Sequence, residues 1–408
     1  MCLAKSFKVF SQGSSFLAAL LLVCGSVGCA PSATAPQKET AKNTNPPSEN
    51  IPTGKSIALP DAANSPEQKV DTPSAAAGTV RPASGAGEVH SPEMAAALIP
   101  RDVLFGTPDK AMARMSHDGK QLAFLAPVEG VLNVWVGPID DPSAAKPVTH
   151  EKARPIEGYF WAYTNKHILY AQDDKGDENF HVYAVDLGTG ETKDLTPSAA
   201  KTGEPADAQP NKVRAQIEGV SWKKPDEVVI GLNDRDPEFH DLYLININSG
   251  EKKLMLKNPE FAGFTVDEDF KVRFASKMAP DGGELTLQPD GKGNWTEYMK
   301  VGMEDNLTTS IDGFDKTGEV LYLIDSRGRD TGALKTVDLK TGAEKLIAEN
   351  PLADVGGVME HPTENTIQGV AFNYDRTHWQ FFDKEVEADY NRLKKVADGE
   401  ITIVSRTL

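Results

Sequence analysis

The chain has 408 residues, and 43 Lys and Arg stand against 60 Asp and Glu, which gives a formal net charge of −17. A nucleic-acid-binding protein needs a basic patch for phosphates, and this acidic chain has no basic run, so we expect no nucleic-acid partner. The three cysteines are Cys2, Cys24 and Cys29. The rest of the sequence can therefore hold no disulfide, no thiol nucleophile and no cysteine metal site.

The first 29 residues have the pattern of an export signal. Lys5 and Lys8 precede an apolar run at residues 16–23, which is too short to span a bilayer but typical of a signal-peptide core. Ser-Val-Gly-Cys at residues 26–29 resembles the bacterial lipobox, so we predict a lipoprotein-type signal peptide over residues 1–29 with lipidation at Cys29. An ordinary cleaved signal with an incidental cysteine is the alternative. Ala30 favours the outer membrane, so we expect a protein of the bacterial cell envelope that faces the periplasm and contacts the membrane through its lipid anchor only.

Residues 30–97 are rich in Pro, Ala, Ser, Thr, Asn and Gly, and they contain no Phe, Trp or Tyr. Such a segment cannot bury enough apolar surface to offset the entropy of an ordered chain. We therefore predict a disordered linker, which would hold a folded domain away from the membrane surface.

From residue 98 to the last residue, one pattern recurs about every 40 to 60 residues. Each copy opens with a short apolar stretch and a polar turn. A β-forming strand follows and leads through a loop rich in Asp, Arg and Gly to a second such strand, and a Thr/Ser-Gly turn leads to a third. The clearest copies are residues 167–191, 227–251 and 320–343, and weaker copies lie at 115–136, 264–301 and 355–383. Four strands per unit at this period is typical of a β-propeller blade. The sequence predicts an all-β fold over residues 98–408: a β-propeller of six recognisable four-stranded blades plus the start of a seventh at 400–405, with a short helix at 390–397.

Four stretches carry a resemblance to a known family. They are residues 98–111, Ser-His-Asp-Gly-Lys at 116–120, residues 176–183, and Asp-Ser-Arg-Gly-Arg-Asp at 325–330. Together they resemble the propeller of the prolyl oligopeptidase family, most closely the bacterial acylaminoacyl-peptidase and dipeptidyl-aminopeptidase type. This resemblance implies a seven-bladed propeller that precedes an α/β-hydrolase domain, whose Ser–Asp–His triad cuts peptides while the propeller restricts access and helps to bind the substrate.

The catalytic signature of that family is absent from the sequence. The nucleophile elbow needs Gly-x-Ser-x-Gly, because small flanking residues permit the strained turn. Ser15, Ser56 and Ser221 have a glycine two residues before them, but Leu17, Ala58 and Lys223 stand where the second glycine is needed. We therefore expect the propeller portion of such a peptidase without the catalytic domain, inactive as a peptidase by itself.

The charged loops between the second and third strands of the blades should surround one mouth of the channel. Mixed Asp and Arg side chains can bind peptide termini or a neighbouring domain, although a solvated rim of mutually paired charges is the simpler interpretation. The candidate rim residues are Asp173, Asp177, Glu178, Asp234, Arg235, Asp236, Asp325, Arg327, Arg329, Asp330, Asp375 and Arg376.

No stretch of the sequence predicts a cofactor or a metal site. The acidic loop at residues 173–178 lacks the spacing of an EF-hand and contains Lys175, so a solvated hairpin loop is the better interpretation. None of the eight histidines forms a close pair with metal-ligand spacing.

Three hypotheses for the function follow. The first is an exported, membrane-tethered propeller that binds a peptide or protein ligand without catalysis. The second is the propeller half of a split serine peptidase, whose α/β-hydrolase domain is encoded separately. The third is a decayed fragment with no stable function.

Overall fold

The computed structural model describes residues 99–198, 212–396 and 398–408. The predicted signal peptide, the lipidation site Cys29 and the predicted linker at 30–97 lie outside the described residues. Within the described part of the chain, no helix has both the length and the apolar character needed to cross a membrane.

The described residues form six antiparallel sheets that follow one another along the chain, and they confirm the predicted β-propeller. The first strands of neighbouring sheets contact each other. Strand Ala111–Met115 contacts Tyr159–Trp161, and Ala215–Val220 contacts Gly263–Val266, so the first strand of each blade lies innermost. The first three blades contain β1 (Ala111–Met115), β2 (Gln121–Val128), β3 (Val131–Pro138), β4 (Lys146–Pro147), β5 (Tyr159–Trp161), β6 (His167–Gln172), β7 (His181–Asp186), β8 (Thr192–Asp194), β9 (Ala215–Val220), β10 (Glu227–Leu232), β11 (Asp241–Asn246) and β12 (Lys252–Leu256).

The fourth and fifth blades also have four strands, whereas the sixth has three among the described residues. These blades contain β13 (Gly263–Val266), β14 (Val272–Met278), β15 (Glu284–Pro289), β16 (Trp295–Val301), β17 (Ser310–Phe314), β18 (Val320–Asp325), β19 (Ala333–Asp338), β20 (Glu344–Ala348), β21 (Val355–Glu360), β22 (Ile367–Asn373) and β23 (Thr377–Phe381). The helices are α1 (Arg101–Phe105) and α2 (Lys384–Leu393).

The hydrophobic core is divided into clusters between neighbouring blades. Side chains alternate between the two faces of a strand, so adjacent residues pack against different neighbours. In β6, Ile168 joins Val134 of the first blade, while Leu169 joins Ile230 of the third. Because both faces of such a strand are buried, its sequence is a nearly continuous apolar run, and the burial of many such strands stabilises the ring.

The Thr/Ser-Gly turns of the repeat close the hairpins between the third and fourth strands. In the second blade, the Asp186 carboxylate accepts hydrogen bonds from the backbone N–H groups of Gly188 and Thr189. Gly190 follows with a φ of 77°, a conformation that costs glycine little because it lacks a Cβ. The third and fifth blades repeat this geometry at Asn246 and Asp338.

The C-terminal residues 401–408 lie between the sixth and first blades. The structure assigns no strand at the predicted position 400–405, but the segment makes specific polar contacts. The Ser405 hydroxyl accepts a hydrogen bond from the Met115 N–H at 3.0 Å, and the Leu408 N–H donates to the His117 carbonyl at 3.0 Å. On the other side, the Arg406 guanidinium donates to Gln368 Oε1 at 2.6 Å. This segment therefore links the first blade to the sixth.

Candidate functional site

The predicted rim residues lie where the second strand of a blade leads into the third. The loops concerned are residues 173–180, 233–240, 326–332 and 374–376. Because consecutive strands of a blade are antiparallel, these loops share a mouth of the channel with the segments that connect one blade to the next. We refer to this surface as the rim.

Asp325 is the most strongly bonded carboxylate of the rim. It ends β18, its side chain is only 3% exposed, and it accepts from Arg327 Nε at 2.9 Å and from Lys335 Nζ at 3.0 Å. Burial alone would raise its pKa, but the hydrogen bonds from Arg327 and Lys335 outweigh burial and lower the pKa to about 2. Asp325 is therefore a fixed anion that orders its loop.

Arg235 has an equivalent role in the third blade. Its guanidinium forms a bidentate pair with Asp241, with both N···O distances at 2.7 Å. The same guanidinium donates to the carbonyl of Asn258, whose N–H donates back to Asp241. Burial opposes ionisation of Asp241, but the bonds from Arg235 and Asn258 prevail and lower its pKa.

The acidic loop of the second blade is held in the same way. The Asp173 side chain is 1% exposed, contacts Arg154 Nε at 3.4 Å, and accepts the Glu178 N–H at 2.9 Å. Asp177 accepts from Lys212 Nζ at 3.0 Å, and this bond, aided by the Asn179 N–H, lowers the pKa of Asp177 to about 2.

The other rim charges differ in whether they have a partner. Asp234 accepts from the Tyr243 hydroxyl and from Lys252, Arg329 pairs with Glu349, Asp236 lies 3.7 Å from Arg235, and Asp375 contacts His378. Within the described residues, the side chains of Glu178, Asp330 and Arg376 are exposed and have no hydrogen bond or ion pair. These three are the rim charges most available to a ligand.

The partners in these pairs are the residues that sequence reasoning missed. Arg154, Lys212, Asn258 and Glu349 all lie in segments that connect one blade to the next. Each is 17 to 35 residues from the charge that it binds, and no local pattern marks it. Asp241 had a usable signal, because it is a charged residue that directly begins the apolar strand β11.

A buried carboxyl group that the sequence did not single out lies in β9. Glu218 is 8% exposed, and no hydrogen bond to its side chain is present among the described residues. Burial raises its pKa to about 8. Within the described residues, no group of three or more His, Cys, Asp or Glu side chains has an arrangement that could hold a metal ion.

Comparison with known proteins gives the relationship of this propeller. No protein-family model matches the sequence. The chain is 42% identical over 312 residues to dipeptidyl aminopeptidase BIII from Pseudoxanthomonas mexicana, a match that covers 76% of this chain and 44% of that protein. This chain belongs to the prolyl oligopeptidase family. The resemblance predicted from the sequence motifs is thereby confirmed.

Two further similarities accompany this match. The chain is 30% identical over 322 residues to dipeptidyl peptidase family member 6 from Caenorhabditis elegans, covering 76% of this chain and 43% of that protein. A solved prolyl endopeptidase structure aligns with a TM-score of 0.43 and 14% identity, over 67% of this chain and 40% of that one. The chain thus spans less than half the length of the curated relatives that it matches.

Proposed function

We propose that this propeller is an exported, lipid-anchored peptide-binding module that is not catalytic by itself. The observation that carries the proposal is the 42% identity to a dipeptidyl aminopeptidase across the propeller. A propeller of a peptide-cleaving family is suited to hold a peptide at its mouth, and the charged rim supplies groups that can bind peptide termini.

The exposed rim charges are the ones suited to a ligand. Asp325 and Asp241 are buried, and their carboxylates accept four and three hydrogen bonds, which a ligand would have to replace. Glu178, Asp330 and Arg376 require no such exchange. A peptide would pair its amino group with Asp330 or with Glu178 and its carboxylate with Arg376, and this contact should weaken as salt is added.

The serine that most resembles a nucleophile is unsuited to catalysis. Ser221 has Gly219 two residues before it, but its side chain is buried and its hydroxyl oxygen lies 2.7 Å from both the carbonyl and Oε2 of Glu268. A carboxylate beside a hydroxyl can orient it, but Lys223 replaces the glycine that an exposed elbow requires.

The test of peptide binding uses isothermal titration of the full chain with a mixed set of unblocked dipeptides. We expect saturable binding that is weakened by Asp330→Asn and Arg376→Ala. Lys316→Ala, which removes an exposed cation on the opposite face of the fifth blade, is the matched control and should leave the affinity unchanged. Equal affinity in all variants, or no binding at all, would contradict the proposal.

The second candidate is the propeller half of a split serine peptidase. It is favoured by the names of the two relatives, which describe peptide-cleaving enzymes. A reading frame next to this one that encodes Gly-x-Ser-x-Gly followed by Asp and His would support it. So would peptidase activity that appears only when the two polypeptides are mixed. A decayed fragment would instead aggregate when the chain is expressed.

Export and anchoring form a separate part of the proposal. Lys5, Lys8, the apolar run and the lipobox-like residues 26–29 support it. In a Gram-negative host, we expect the chain to incorporate labelled fatty acid and to sediment with the outer membrane. Cys29→Ser should abolish both, while Cys24→Ser should abolish neither. Labelling that survives Cys29→Ser would assign the anchor elsewhere.

A further inference from the structure

The sixth blade ends in an outer strand that has no fourth strand beside it. The other five blades each end in a fourth strand, whereas β23 is the last strand of its sheet among the described residues. Outer strands normally carry charged residues or proline, because these discourage pairing with another chain. Each of the five fourth strands contains at least one charged residue, but β23 contains neither a charged residue nor a proline. It therefore lacks the protection that an exposed edge usually has.

The register of β23 shows which of its backbone groups lack a partner. Phe382 donates its N–H to the Gln368 carbonyl at 2.8 Å, in the same register that sets Gln380 opposite Val370. Because backbone groups alternate in direction along a strand, the even-numbered residues face β22 and the odd-numbered residues face outward. Within the described residues, no hydrogen bond reaches the outward N–H and C=O groups, which belong to Thr377, Trp379 and Phe381.

Helix α2 covers one face of β23 rather than its edge. Tyr390 of the helix packs on Phe381 with the ring centres 5.1 Å apart, and Phe381 stacks on Trp379 at 5.6 Å. On the opposite face of the strand, the side chains of His378 and Gln380 are exposed. The strand is therefore fixed in place on one face and open to solvent on the other.

A second copy of this chain fits the free edge, because the edge is self-complementary. Two β23 strands that run antiparallel and are centred on Trp379 set Thr377 of one copy opposite Phe381 of the other. Every outward group then meets an outward group, and each such pair of residues exchanges two backbone hydrogen bonds. The sheets of the two sixth blades would become one continuous sheet.

The charges of α2 favour the same arrangement. In a two-fold pair, the two copies of α2 lie on the same face of the joined sheet and run in opposite directions. The first turn of α2 contains Glu385 and Glu387, and its last turn contains Arg392, which Lys394 and Lys395 follow. The acidic start of one helix would therefore lie towards the basic end of the other. We propose that β23 is the edge through which two copies of this chain form a two-fold dimer, independently of peptide binding at the rim.

Sedimentation equilibrium of the full chain, with Cys29→Ser to keep it free of lipid, tests whether the chain dimerises. We expect a monomer–dimer equilibrium between about 1 and 100 µM. Amide hydrogen exchange at Trp379 and Phe381 should slow as the dimer forms, because their N–H groups become hydrogen-bonded. A chain that stays monomeric over this range, or a dimer that leaves both amides unprotected, would overturn the proposal. Protection of these amides only when an extended peptide is added would also overturn it, and would assign the edge to a peptide.

Paired substitutions at the exposed positions 378 and 380 test the register. In the proposed dimer, residue 378 of one copy lies opposite residue 380 of the other. His378→Lys with Gln380→Lys sets a cation against a cation at both places, whereas His378→Lys with Gln380→Glu sets a cation against an anion. The first double variant should dimerise at least about tenfold more weakly than the second.

The matched control adds a cation to a different outer strand. Leu346 is 46% exposed on β20 of the fifth blade, and Leu346→Lys should dimerise as the parent does. Circular dichroism shows whether each variant folds, and amide exchange in the parent keeps the test decisive if a double variant does not. Equal dimerisation of the two folded double variants, or a loss of dimer in Leu346→Lys as large as in the variant with two lysines, would mean that the copies do not meet through β23.

Discussion

The bonds at Asp325 lead to a quantitative prediction for Asp325→Asn. The parent carboxylate accepts from both Arg327 and Lys335, and its side chain is 3% exposed. The variant keeps the size of the side chain but loses the negative charge between two cations. Arg327 is 33% exposed and can be hydrated, and Lys335 retains a 3.4 Å contact with Glu344. The decrease in the free energy of unfolding should therefore be smaller than the roughly 3–5 kcal/mol lost when a fully buried ion pair is broken.

The pKa of Asp325 sets the expected magnitude. It falls from the ordinary value of 3.8 to about 2 in the folded protein, and a difference of that size corresponds to about 2.4 kcal/mol. We expect Asp325→Asn to lower the free energy of unfolding by about 2 to 3 kcal/mol at pH 7. Because the pKa is lower in the folded state, this stability is present above about pH 4 and is lost as the pH falls towards 2.

The assay is urea denaturation of the parent and of Asp325→Asn from pH 7 down to pH 3, with the midpoint compared at equal slope. Asp330→Asn is the control, because Asp330 lies in the same loop, is exposed, and has no side-chain partner among the described residues. The control should change stability by less than about 0.5 kcal/mol. The reasoning fails if both variants cost the same, or if the difference between the parent and Asp325→Asn does not shrink as the pH falls.

Three further predictions concern the rest of the propeller. Glu218→Gln should become more stabilising relative to the parent as the pH rises from about 5 to 8, by up to about 5 kcal/mol. Over this range the Glu218 carboxyl group ionises in the unfolded parent, whereas in the folded parent its pKa of about 8 keeps it protonated. Urea midpoints across this pH range measure the effect. Ile230→Ala should lower the free energy of unfolding by about 3 to 4 kcal/mol, because Ile230 is fully buried between two blades. In the same denaturation assay, Leu254→Ala on the exposed strand β12 should lower it by less than about 1 kcal/mol. Arg406→Ala should speed amide hydrogen exchange in β1 and lower the free energy of unfolding by about 1 to 2 kcal/mol. Arg376→Ala, at an exposed position, should change neither quantity. Equal exchange in the two variants would contradict the role given to Arg406.

The strands that the sequence predicted best are those with both faces buried. The strands β6, β10 and β18 are short apolar runs between Asp- and Gly-rich turns, so the local pattern and the packing agree. The outer strands were harder to predict. The strand β8 has three residues, Thr192–Asp194, and none of them is apolar. Such strands form because a neighbouring strand offers hydrogen bonds, and that is not a property of their own residues.

Helix α2 begins at a capping signal that the sequence contains. The structure starts this helix at Lys384, earlier than the predicted 390, because Asp383 caps it by accepting the N–H groups of Glu385 and Val386. Glu385 and Glu387 in the first turn favour the same start.

The rim could be located from the sequence, but its ion pairs could not. Loop composition identified the charged side chains. Several of their partners, such as Arg154 and Lys212, come from the segments between blades, which only the folded ring brings close.

The junction between the first and sixth blades differs in kind from the other junctions of the ring. Each of the five hydrophobic clusters among the described residues joins two consecutive blades, and none contains residues of both the first and the sixth. Polar bonds of residues 401–408 link these two blades, and each such bond contributes only about 1 kcal/mol. Burial of apolar surface is therefore concentrated at five junctions. Local opening should begin at the remaining one, next to Glu360, whose backbone carbonyl accepts from Arg406. Hydrogen exchange that is fastest at another junction would contradict this argument.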